Sequence, residues 1–98
     1  MKLLIVDDEL KIRELIAKYA AFEDYEYAEA ENGMQAVDIA RATQFDLIIM
    51  DIMMPELDGF SAAREIRKTQ PTVPIILLSA RGEEYDKIHG FELGIDDY

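Results

Sequence analysis

Ninety-eight residues, half of them hydrophobic, make one small domain with a real core rather than a charge-dominated disordered segment. The formal charge of −11, from 21 acidic and 10 basic residues, repels nucleic acid, so DNA binding by this chain alone is not expected. No apolar run approaches the roughly 20 residues that span a bilayer, no signal-peptide pattern precedes the early aspartates, and the absence of cysteine excludes disulfides and thiolate metal sites, which together favour the cytosol.

Lys2 to Val6 (KLLIV) is a short apolar run that ends at two carboxylates, Asp7 and Asp8. Residues 9–21 carry Ile12, Leu15, Ile16, Tyr19 and Ala20 at the i, i+3, i+4, i+7, i+8 spacing of one helix face. Tyr25 to Ala30 (YEYAEA) alternates with the period of two expected of a strand. Asn32-Gly33 marks a turn, and helical spacing returns from Met34 to Ala42 through Val37, Ala40 and Arg41. Phe45 to Met50 (FDLIIM) is a second apolar run, ending at Asp51.

Pro55 and Gly59 punctuate the next loop. Asp58 is placed to cap a helix from Gly59 to Thr69, with Phe60, Ala63 and Ile66 inward. Pro71 and Pro74 forbid its continuation. Pro74 to Ser79 (PIILLS) is a third buried-type strand, ending at a hydroxyl, and residues 83–92 form a weaker helix with Tyr85 and Ile88 inward. Four strands alternating with four helices predict an α/β fold. Its sheet would be parallel and covered on both faces.

Ligands of such sheets bind at the carboxyl ends of the strands. Here Asp7-Asp8, Asp51 and Ser79 stand at those ends. The acidic excess reads either as solubility or as a cation site, and Asp7 and Asp8 either as ordinary strand-end or capping residues or as ligands. If those strands are neighbours, three carboxylates and a hydroxyl converge on one small site, which favours the second reading of each. Two unit charges about 4 Å apart repel by ~4 kcal/mol at an effective dielectric of ~20, a penalty that a divalent cation removes. Oxygen ligands without His or Cys suit a hard ion, best Mg²⁺. A carboxylate beside such an ion can also be a nucleophile toward phosphorus. Asp51, alone at its strand end, is the natural acceptor, with Asp7 and Asp8 as metal holders.

Asp7-Asp8-Glu9 after KLLIV, MDIMMPELDG at 50–59, PIILLSA at 74–80 and the closing GIDDY at 94–98 resemble the receiver domain of two-component response regulators. The local wording is similar to the subclass in which a winged-helix DNA-binding domain follows. The resemblance covers residues 2–98. It implies a flavodoxin-like doubly wound sheet with strand order 2-1-3-4. Asp51 would accept phosphate from the phosphohistidine of a sensor histidine kinase or from a small phosphodonor. Asp8 and Asp51 would ligate Mg²⁺ directly, Asp7 largely through water, and the backbone carbonyl of Met53 would be a further ligand. Ser79 would hydrogen-bond the phosphoryl group, and Tyr98 would be the aromatic that turns inward when Ser79 moves. Such a domain is a signalling switch that catalyses its own phosphorylation and dephosphorylation rather than an enzyme, and DNA would be reached only through an output domain outside this chain.

In the family a strand bearing a lysine and a final helix follow the tyrosine. Residues 1–98 are therefore expected to form a receiver domain incomplete at its C-terminus, without the fifth strand and helix. An open sheet edge would then favour a homodimer or a strand-exchanged oligomer. Three other functions compete with this one. A haloacid-dehalogenase-type phosphatase would need an acid where Met53 stands, and a flavin site would need a Ser/Thr/Gly phosphate loop where Asp7-Asp8-Glu9 stands. A signalling-incompetent interaction module is the remaining alternative. His89, the sole histidine, is expected on the fourth helix with no catalytic role, and Arg81 near the mouth of the site.

Overall fold

The computed structural model describes residues 1–78. Four parallel strands, β1 (Lys2–Val6), β2 (Glu26–Ala30), β3 (Leu47–Asp51) and β4 (Ile75–Leu78), form one sheet in the order β2-β1-β3-β4. Helices α1 (Leu10–Phe22), α2 (Gly33–Ala42) and α3 (Gly59–Thr69) connect them. The expected order 2-1-3-4 is the observed one. No helix among the described residues is long and apolar enough to cross a membrane. Ser79, Arg81, His89, Tyr98 and the helix expected at 83–92 lie outside the described residues.

Side chains alternate across a strand, which divides the core in two. Leu4 and Val6 of β1, Ile48 and Met50 of β3, and Ile75 and Leu77 of β4 pack with Ala36, Val37 and Ala40 of α2 and with Ala62, Ala63 and Ile66 of α3. Leu3 and Ile5 point the other way and are buried on the side where α1 meets β1 and β2. On that second face Leu47, Ile49, Ile76 and Leu78 are only half-buried. Helix α1 turns part of its expected face inward, with Ile12 and Ile16 half-buried. Ala17 and Ala20 are buried, while Leu15 (51% exposed) and Tyr19 (67%) face out.

Local chemistry fixes the helix ends. Asn32, expected in a turn, is the N-cap of α2, its side chain accepting from the Gln35 N–H at 2.9 Å. Asp58 caps α3 as expected, accepting from the Ser61 N–H at 2.9 Å. Gln70, just past α3, is buried and ties that end of the molecule together. It accepts from the Phe45 N–H and donates to the Ala40 and Thr43 carbonyls. It thereby satisfies three main-chain groups where α2 passes into β3.

Candidate metal centre

Strand register builds the site. β1 and β3 are neighbours with Val6 opposite Met50, so the residues just beyond, Asp7 and Asp51, emerge side by side at the same end of the sheet. Asp8 follows Asp7 into the loop before α1. One carboxylate oxygen from each of Asp7, Asp8 and Asp51 lies within 4.8 Å of the others. Asp51 (3% exposed) and Asp7 (8%) are buried, whereas Asp8 is exposed and leaves one flank open to water.

Short-range hydrogen bonds hold the two buried acids. Asp7 Oδ1 accepts from the Glu9 N–H at 2.8 Å, and Asp51 Oδ1 from the Met53 N–H at 3.2 Å. Asp7 therefore does not cap α1: Glu9 occupies that position, with no side-chain cap. The main chain of Asp7 donates to the Ala30 carbonyl of β2 at 3.1 Å and accepts from Arg13 Nη1 at 2.7 Å. Behind Asp51, the Gly59 N–H donates to the Ile52 carbonyl at 2.9 Å. A Cβ on Gly59 would stand 2.5 Å from the Asp51 carbonyl oxygen, so the loop closes this tightly because the residue is glycine. A Cβ on Gly33 would collide with the Leu57 carbonyl, which pins the same loop against the start of α2.

The site resists its own charge. Burial pushes the Asp51 carboxyl from 3.8 up to about 6, the Met53 N–H opposes the rise, and Asp7, Asp8 and Glu9 add to it. Burial likewise raises Asp7 against the Glu9 hydrogen bond, with Asp8 and Glu9 adding. An all-oxygen, net-negative cluster that is costly when ionised, with one side open to water, fits a hard divalent cation that keeps part of its hydration shell.

Asp7, Asp8 and Asp51 come together. Met53 stands two residues past Asp51, its N–H on the Asp51 carboxylate and its side chain largely in solvent. Ser79 and Tyr98 lie outside the described residues. Sequence reasoning missed Arg13, whose guanidinium reaches the Asp7 carbonyl and Glu29. Its signal is positional: Arg13 shares the i, i+4, i+7 stripe of Ala17 and Ala20, so a charged side chain lies on a buried face.

Residues 3–98 match the family described as "Response regulator receiver domain". Among curated proteins the chain is 47% identical over 97 residues to the transcriptional regulatory protein ResD of Bacillus subtilis, an alignment that covers 99% of this chain and 40% of ResD. The chain spans the same 40% of the transcriptional regulatory protein SrrA of Staphylococcus aureus, at 44% identity. Among solved structures, the receiver domain of the Francisella response regulator 1452 superposes with a TM-score of 0.80 at 35% identity, over 99% of this chain and 80% of that one. Response regulator TrrA of Thermotoga maritima, in complex with Mg(2+)-BeF, gives 0.77 at 43% identity, over 83% of this chain and 70% of that one.

Proposed function

The chain belongs to the response regulator receiver domain family, and from that premise we propose that it accepts a phosphoryl group on the Asp51 carboxylate with Mg²⁺ bound at Asp7, Asp8, Asp51 and the Met53 carbonyl. The observation that carries the reading is the meeting of three carboxylates from two adjacent strand ends within 4.8 Å, at a cost visible in the raised Asp7 and Asp51 carboxyls. A bound cation offsets that cost.

The phosphoryl group comes from the phosphohistidine of a sensor histidine kinase. A carboxylate oxygen of Asp51 forms a bond to phosphorus as the phosphorus–nitrogen bond breaks, and the electron pair leaves with the imidazole, which takes up a proton. Water later attacks the acyl phosphate, returning the Asp51 carboxylate and inorganic phosphate. When bound, Mg²⁺ neutralises charge on the phosphoryl oxygens. The buried position of Asp51 limits access by water, and the Met53 N–H holds one of its oxygens so that the other is free to react. Ser79 hydrogen-bonds the phosphoryl group and Tyr98 reports its arrival by turning inward. The domain acts in the cytoplasm as a switch for transcription control, through a winged-helix output domain of the whole protein. That ResD and SrrA are transcriptional regulatory proteins supports the role in transcription control.

The test is the intact mass of the chain after incubation with Mg²⁺ and a small acyl phosphate, beside Asp51→Asn. The proposal expects one added phosphoryl group in the wild type and none in the variant. A wild type that gains no mass, or a variant that gains as much, would overturn it.

A further inference from the structure

A guanidinium beside three carboxylates would ordinarily compete with a metal ion, and Arg13 does not. Its side chain is only 12% exposed. Its ion pair is with Glu29 of β2, Nε to Oε1 at 3.1 Å, and among the described residues it forms none with Asp7, Asp8 or Asp51. A second donor, Nη1, goes to the Asp7 main-chain carbonyl at 2.7 Å. A buried cation is costly unless paired and hydrogen-bonded, and both conditions are met here without use of a site carboxylate.

Asp7 is consequently held at three atoms: its N–H by Ala30, its carboxylate by the Glu9 N–H and its carbonyl by Arg13. The Glu9 carbonyl in turn accepts from the Ile12 and Arg13 N–H groups, so the first turn of α1 grips the same loop. That loop carries two of the three acids, and mutual repulsion works to spread them. We infer that Arg13 is a positioning residue that sets the Mg²⁺ affinity of the site by clamping the Asp7–Asp8 peptide to α1 and β2. The inference rests on the proposed Mg²⁺ reading of Asp7, Asp8 and Asp51. It also fixes a sign. If the charge of Arg13 were all that mattered, its removal would tighten cation binding; if the clamp matters, removal weakens it.

The experiment titrates Mg²⁺ calorimetrically into the wild type, Arg13→Met, Arg13→Lys and Lys11→Met. Lys11 is exposed on the same helix, and its loss changes the net charge by the same amount. Removing a residue that orients a metal ligand typically costs ~10-fold or more in affinity. Arg13→Met is expected to bind Mg²⁺ about tenfold more weakly, Arg13→Lys to fall between it and the wild type, and Lys11→Met to match the wild type. In phosphorylation by a small acyl phosphate, Arg13→Met should raise the half-saturating Mg²⁺ concentration by a similar factor and keep the plateau rate. Wild-type or tighter Mg²⁺ binding by folded Arg13→Met overturns the inference, as does a lowered plateau at unchanged half-saturation. Should Arg13→Met fail to fold, wild-type affinity in Arg13→Lys overturns it instead. A wild type that binds no Mg²⁺ would sink the reading of the site itself, which separates the two failures.

Discussion

Replacing Asp51 with Asn removes one negative charge from the acidic cluster and keeps the oxygen that accepts from Met53. Unfolded, the Asp51 carboxyl ionises near 3.8; folded, near 6. Between those values the folded state holds a proton that the unfolded state has released. Wild-type stability therefore falls as pH rises from about 4 to about 6, and the whole penalty stands above that window. Moving a carboxyl from 3.8 to about 6 corresponds to a cost on the order of 3 kcal/mol once it is ionised. Urea unfolding followed by circular dichroism, with chelator present, should find Asp51→Asn more stable than the wild type by about 2–3 kcal/mol at about pH 8, with the two converging at about pH 4. Saturating Mg²⁺ should narrow the gap by stabilising the wild type preferentially. A variant no more stable than the wild type at the higher pH, or a gap that persists at the lower one, would refute the electrostatic account of the site.

Gly59→Ala forces a Cβ to within 2.5 Å of the Asp51 carbonyl and 2.8 Å of Ile52 Cα, both main-chain atoms that must move. A loss of about 1–3 kcal/mol in urea unfolding is expected, with weaker Mg²⁺ binding in calorimetry; unchanged values for both would show that the loop yields freely. Gln70→Leu leaves the Phe45 N–H and the Ala40 and Thr43 carbonyls without their side-chain partner. That should cost about 3 kcal/mol in the same assay, and a neutral result would mean that water replaces the amide.

Much of this fold is written locally. The apolar runs ending at Asp7 and Asp51 mark strands β1 and β3. Asn32 and Asp58 each precede by three residues the N–H they cap, a spacing visible in one dimension. Helix α1 was legible in extent but only partly in orientation: Ile12, Ile16 and Ala20 turn inward as expected. Leu15 and Tyr19 dominate any hydrophobicity pattern, yet the close approach of α1 to β1 and β2 is made by Ala17 and Ala20, since small side chains let a helix lie near a sheet. Gln70 carried no signal at all, because its partners lie 25 to 30 residues away and only folding brings them there. The acidic site stands between these extremes. Each carboxylate could be placed at a strand end from sequence, but the adjacency of β1 and β3, which makes three separate acids one cluster, came from family resemblance and not from any residue pattern. Arg13 did carry a positional signal on the buried stripe of α1, but its role depends on Glu29 arriving from β2 beside the Asp7 carbonyl.

The Asp51 carboxylate is the proposed bearer of the phosphoryl group. An aspartyl phosphate, unlike a phosphoserine, is reduced by borohydride to homoserine. The direct measurement is therefore peptide sequencing by mass spectrometry of the chain treated with Mg²⁺ and a small acyl phosphate and then reduced. The account predicts homoserine at position 51 and at no other aspartate. Homoserine at Asp7 or Asp8, phosphate retained on Ser61 or Ser79, or an unmodified position 51 would contradict it.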